Sequence, residues 1–162
     1  LKIGIGLNTG SATVANTGSR SRVQYGPRGP TVHLASRTEA ATKQLGVPLL
    51  ITGSTKAQLG QEFRARRLGK VRLAGIDGLI HFHELLAGPA NPEALARRDA
   101  YEQALGLYEL AQFVPACRAI SPLLATQEGN FDLPCLNLLT RIVQAMRNPP
   151  EKFDGVFELR GR

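Results

Sequence analysis

Cysteine, long apolar runs and, in the first half, carboxylates are what this 162-residue sequence has least of. The only cysteines, Cys117 and Cys135, lie in helix-like apolar patterns. They are too few for a disulfide framework or a zinc site and read as two lone buried thiols in a reducing cytosol. No apolar stretch approaches the roughly 20 residues that a membrane-spanning helix needs, and no signal peptide is visible. An initiator methionine is also missing, and the chain opens directly on a strand-like run at 2–7. The expectation is a cytoplasmic piece of a longer protein, with membrane attachment only through upstream segments. Residues 1–87 carry twelve Lys and Arg against four Asp and Glu, with Asp77 the sole aspartate; residues 88–162 carry eight against nine. A basic first part suits nucleotide phosphates, nucleic acid or an acidic surface, without choosing among them.

What is present is a globular pattern, 43% hydrophobic, of a length that suits one domain or one sizeable piece with an appendage. Ile3, Ile5 and Leu7 alternate with Gly4, Gly6 and Asn8, the period of a strand with one apolar face. The glycines leave room on the other face for something to approach closely. Thr9-Gly10 predicts a hairpin to a strand at 12–15, followed by a loop at 16–21 and a short strand at 23–25. Gly26-Pro27-Arg28-Gly29 reads as a turn-rich break. Pro30 suits the first position of a helix that ends at Gly46, and His33 and Arg37, four apart, share one of its faces. Strands are expected at 47–52, 63–73 and 79–86, with a brief helix after Ser54 and a turn at Gly75-Ile76-Asp77-Gly78. Residues 88–92 form a linker. Helical patterns follow at 94–111, 114–126 and 134–146. The first two resemble a tetratricopeptide-type pair, with Ala104, Leu107, Phe113, Ala116 and Ile120 at suitable spacings; one pair is too little for a solenoid. A capping hairpin and a peptide-binding role both remain open.

Four segments carry a more specific signal: GIGLNTGSATVANTGS at 4–19, RVQYGPRGPTVHLASR at 22–37, TKQLGVPLLITGST at 42–55 and IHFHELL at 80–86. Together they resemble the C-terminal half of a class III adenylate/guanylate cyclase catalytic domain, over roughly the first half of the chain. YEQALGLYELAQF (101–113) and NPPEKFDGVFEL (148–159) are similar to an extension found after that domain in some bacterial members. The resemblance implies an α+β, ferredoxin-like nucleotide cyclase fold, partial here, over 1–87, then a small all-helical extension over 93–162. It implies a homodimer with active sites at its interface. The reaction converts a nucleoside triphosphate, ATP sooner than GTP, to its 3′,5′-cyclic monophosphate and pyrophosphate. That is an in-line phosphoryl transfer assisted by two metal ions, Mg²⁺ or Mn²⁺.

By the same resemblance, Arg37 matches the helix arginine that stabilises the transition state; its forked guanidinium suits phosphate oxygens better than lysine does. A solvent-facing helix arginine is the plain alternative. His33 stands where the family carries asparagine: an altered hydrogen-bond donor, a mark of a weakened enzyme or an interface histidine. Gly26 stands where relatives read the purine with aspartate or threonine; it and Gly29 are the substrate-binding candidates, and base selectivity is left to backbone, neighbouring residues or the other half of the domain. Ala74 and Ile76 replace lysines that meet the triphosphate, with Lys70 and Arg72 nearby. No carboxylate pair for metal exists in 1–87, so the fragment alone is expected to be inactive and the ligands to lie in the other half of the domain.

His81 and His83 alternate on one strand face, either as weak metal ligands or, more simply, as an exposed polar face. The run Arg64, Arg66, Arg67, Lys70, Arg72 lacks the aromatics of a nucleic-acid site and reads as a charged, solvated strand edge. Two rivals to the enzyme stand: a catalytically degenerate regulatory module, motivated by His33, Ala74 and Ile76, and an interaction protein working through its helical tail. Unpaired strand edges predict poor solubility for the isolated chain.

Overall fold

The computed structural model describes residues 3–19, 22–86, 88, 91–126 and 129–159; Lys2, Arg20, Ser21 and the linker residues Pro89 and Ala90, on which parts of the expectations fall, lie outside these. The alternating segment forms strand β1 (Ile5–Leu7). Its glycines face helix α1 (Pro30–Leu45). A Cβ on Gly6 would stand 2.1 Å from the Glu39 nitrogen, and one on Gly4 2.1 Å from Thr42 Oγ1. Strand and helix therefore pack backbone to backbone, which is the close approach that the bare glycine face permits.

The expected hairpin between 3–7 and 12–15 does not form. β1 instead pairs in parallel with β4 (Leu49–Thr52), Ile5 opposite Leu49. The hairpin is made by β2 (Thr13–Ser19) and β3 (Arg22–Arg28), a separate two-stranded sheet. The segments read as loop (16–21) and break (26–29) thus contribute mostly to strands. Pro27 is tolerated in β3 because a two-stranded ribbon leaves one side of each strand without a ladder partner, where a missing N–H costs nothing.

α1 begins at Pro30 and ends in a left-handed cap at Gly46 (φ 74°), whose N–H donates to the Thr42 carbonyl. Buried Thr38, Ala41, Thr42 and Leu45 make its inner face. A short helix, α2 (Gly53–Lys56), follows β4, capped by the Thr52 hydroxyl. β5 (Ala65–Leu73) and β6 (Ile80–Leu85) form an antiparallel pair with a bulge between Arg67 and Gly69. Helices α3 (Pro92–Glu109), α4 (Phe113–Ile120) and α5 (Leu133–Arg147) come next, with Asn91 and Asp132 as side-chain N-caps of the first and third.

The chain does not stay helical to its end. Val156–Leu159, within the segment read as all-helical, is a strand, β7, parallel to β5. The sheet is mixed, in the order β1-β4-β6-β5-β7, and the molecule is α+β. A single hydrophobic cluster joins Leu50, Phe82 and Val71 of the sheet to Tyr101, Leu138 and Phe157. Each such fully buried side chain contributes about 1.5–3 kcal/mol.

β5 is therefore an interior strand, not the solvated edge expected from its charges. Its arginines pair with acids far along the chain. Arg66, only 7% exposed, binds Glu84 of β6 at 2.5 Å and Asp132 at 2.9 Å, with its guanidinium carbon 4.9 Å from the Tyr101 ring centre. Arg67 pairs with Glu109 at 2.8 Å, and Arg72 with Glu158 and Asp154. Burial works against the Arg66 charge, but Glu84 and Asp132 outweigh it and raise its pKa. Burial also raises the Glu84 pKa against the pull of Arg66, while Asp132 is held below its usual range because Arg66 overcomes burial there.

Candidate functional site

The parallel strands β1 and β4 end side by side, and both run into polar residues: Asn8-Thr9 after β1, and Thr52 to Thr55 across the β4–α2 junction. The ends of parallel strands are where open sheets bind ligands. Asn8 Oδ1 accepts from Thr52 Oγ1 at 2.8 Å and from the Ser54 hydroxyl at 3.1 Å. Its amide nitrogen donates to the Thr31 carbonyl at 2.9 Å, in the first turn of α1. Thr9 and Thr55 share a hydroxyl hydrogen bond of 3.0 Å. The network fixes the start of α1 against the strand ends.

Above it opens a cleft of about 530 Å³, lined on one side by Thr31, His33 and Leu34 of α1 and on the other by Ile76 and Asp77 of the β5–β6 turn. Asn8, Thr9 and Ser54 form part of its lining. Arg37, one turn beyond His33, sends its guanidinium to the same turn: Nη2 lies 3.7 Å from where a Cβ on Gly75 would stand. Arg37 is half-buried, and its buried Nε has no hydrogen-bond partner among the described residues. His33 is exposed at the cleft wall. His33 thus lines the cleft, whereas Arg37 is not among its lining residues and meets the β5–β6 turn at Gly75.

The glycine candidates lie elsewhere. Gly26 is in β3, opposite Ala15, with nothing within 4 Å of the place a side chain would take. Gly29 has φ 115°, a left-handed conformation that suits glycine, and its carbonyl accepts from the N–H groups of Val32 and His33, each at 3.1 Å. Neither lines the cleft. Of the positions discussed for triphosphate contact, Ile76 lines the cleft, Ala74 is exposed, and Arg72 is engaged by Glu158 and Asp154. Sequence reasoning missed Asn8, Thr9 and Ser54. Their signal was a cluster of amide and hydroxyl side chains just past two apolar strands.

Among the described residues no group of three or more His, Cys, Asp and Glu side chains is placed to hold a metal ion, so the residues present do not make a metal site. His81 is exposed, but His83 is only partly so, which departs from the exposed polar face expected of the pair. Its Nδ1 is buried without a hydrogen-bond partner among the described residues. Burial first, then the charges of His81, Lys56 and Arg67, lower its pKa to about 4. Among the described residues, no helix is long and apolar enough to cross a membrane.

Residues 1–86 match the family described as the adenylate and guanylate cyclase catalytic domain. The chain is 33% identical over 81 residues to adenylate cyclase 1 of Rhizobium meliloti (strain 1021), covering 50% of this chain and 12% of that protein. It is 34% identical over 90 residues to an adenylate cyclase of Anabaena cylindrica, covering 54% and 18%. A terminal-differentiation-specific adenylate cyclase of Dictyostelium discoideum is 27% identical over 165 residues, covering 91% of this chain and 7% of that protein. The matched region is thus less than a fifth of each of these relatives.

Proposed function

The chain belongs to the adenylate and guanylate cyclase catalytic domain family, and from that premise we propose that it supplies part of the active site of a nucleotide cyclase. The reaction is attack of the ribose 3′-oxygen on the α-phosphorus of a nucleoside triphosphate, which releases pyrophosphate and closes the 3′,5′-cyclic ester. ATP is the favoured substrate, in keeping with the adenylate cyclase names of the relatives. The observation that supports this reading is that His33 lines a cleft whose opposite wall is the β5–β6 turn, while Arg37, one turn further along α1, reaches the same turn at Gly75.

The Arg37 guanidinium keeps its Nε buried, without a hydrogen-bond partner among the described residues, and brings Nη2 to the Gly75 turn. Directed at the transferring phosphoryl group, it would bind the charge that grows on the oxygens as the bond to pyrophosphate breaks, while a ground-state substrate would gain less. His33, in the family's asparagine place, is proposed to donate a ring N–H hydrogen bond toward the same group. Gly26 and Gly29 do not line this cleft, and no contact with the nucleotide is proposed for them there. The described residues do not make a site for Mg²⁺ or Mn²⁺; such an ion would supply Lewis-acid activation of the 3′-hydroxyl, held by residues proposed to lie outside this chain, which we read as the C-terminal part of the catalytic domain. Two copies are proposed to pair head to tail, each completing the other's site, and α3 and α4 are proposed to form a tetratricopeptide-like pair packed on the same core as the sheet.

A second reading has its own support. Ile76 faces the cleft where a lysine is expected, and Asp77 beside it adds a negative charge. A site so changed suits a regulatory module that binds nucleotide without turning it over. The test is product formation by the full-length protein that carries this chain, with ATP and GTP supplied separately and Mn²⁺ present. Cyclic AMP as the main product supports the first reading. A folded dimer that binds nucleotide and makes neither product supports the second.

A further inference from the structure

α1 carries His33 and Arg37 in its first half, and its last turn is held by a different part of the chain. The final carbonyls of a helix have no partner within it. The Gly46 cap serves the Thr42 carbonyl alone, through the N–H groups of Gly46 and Val47 at 2.8 and 3.1 Å. The carbonyls of Gln44 and Leu45 accept from one side chain, the Asn137 amide of α5, at 3.1 and 3.2 Å. Next to this contact Leu133 presses on Gly46, where an added Cβ would stand 2.4 Å from the leucine Cβ. α5 is itself fixed at its start. Asp132 accepts from the Cys135 N–H at 3.2 Å and holds Arg66 of the sheet.

We propose that Asn137 is a positioning residue for the nucleotide site: it clamps the C-terminal end of α1 and so sets where Arg37 stands against the β5–β6 turn. The inference rests on the reading of Arg37 given above. Leu45 lies eight positions beyond Arg37, about 12 Å of helix at 1.5 Å per residue, and the i→i−4 bonds that tie each turn to the next let the two ends of that length move together. A displacement of order 1 Å at a charge-stabilising group is costly to a transition state. The clamp also gives residues 92–147 a role in the chemistry without contact with substrate: whatever moves α5 moves Arg37.

The test compares Asn137→Ala, Asn137→Asp and Asn137→Gln in the full-length protein. A clamp that works by donating to carbonyls predicts an order set by charge and donor. Aspartate is nearly the same size as asparagine, but it removes the donor and places a negative charge at the negative end of the helix dipole. It is expected to be the worst, lowering kcat more than tenfold, with alanine about five- to tenfold down and glutamine nearest to the parent. KM changes less than twofold throughout. Amide exchange at residues 33–37 accelerates in the same order. An order that follows side-chain volume, with aspartate harmless, overturns the proposal. So does faster exchange confined to residues 42–47 with kcat unchanged, because Asn137 is then a local cap only. If the full-length protein makes no cyclic nucleotide, the cyclase reading fails on its own; exchange at residues 33–37 then decides the clamp, spreading if it holds and staying local if it does not.

Discussion

At the scale of residues, two side chains depart from what their type suggests. His83 occupies a strand position that alternation makes polar, yet its Nδ1 is enclosed and unpartnered. The folded protein keeps it neutral, with a pKa near 4 against an ordinary 6.5. The unfolded chain therefore takes up the proton first as the pH falls. Stability is full above about pH 6.5 and declines toward pH 4, by on the order of 1–2 kcal/mol after discounting for partial exposure. Thermal melts of the parent and His83→Gln across this range are expected to differ in slope, the variant losing less on acidification; parallel curves would contradict the assignment. Arg37 departs in the other direction. A helix arginine is usually solvated, but this one lies half-buried against a glycine turn. Its pairing with His33 on one face was legible from the four-residue spacing. Its nearness to Gly75 was not, because the turn is nearly forty residues away in sequence.

At the scale of elements, local pattern served best where the signal was local. Pro30 and Gly46 bounded α1 because each states a backbone requirement by itself: a tolerated missing N–H at the start, a positive φ at the end. The bare glycine face of β1 announced a close neighbour, and the neighbour is α1. Thr9-Gly10 has the composition of a tight turn, but Asn8 and Thr9 are held by Thr31, Thr52 and Thr55 and carry the chain out of the sheet, so no hairpin forms there. The charges of β5 misled for the opposite reason. Arg66, Arg67 and Arg72 meet Asp132, Glu109 and Glu158, partners 42 to 86 positions away, and no periodicity reveals such pairs. A buried arginine with two carboxylates is costly to break from one side, since the remaining acids are left uncompensated. Arg66→Ala is expected to destabilise the protein by about 3–5 kcal/mol, read as a lowered urea midpoint; a loss under about 1 kcal/mol would mean that the pairs are solvated.

At the scale of the whole molecule, the helices and β7 share one core with the sheet, and β7 covers the strand that would otherwise be an edge. The opposite edge is different. β1 pairs with β4 alone among the described strands, and Ile5 and Leu7 are 48% and 42% exposed. Val23 and Tyr25 on the hairpin are 64% and 74% exposed. Apolar surface beside an open strand edge promotes association. The isolated 162-residue chain is expected to self-associate with rising concentration in sedimentation, and a monodisperse monomer throughout would contradict this.

The central claim is that Arg37 belongs to a cyclase active site. Its most direct test is the rate of cyclic AMP formation by full-length protein carrying Arg37→Ala, beside the parent, with melting temperature and oligomeric state measured on the same samples. A fall of at least about 100-fold in kcat is expected, with melting and assembly unchanged. Turnover within a few-fold of the parent would contradict it and return Arg37 to an ordinary helix arginine.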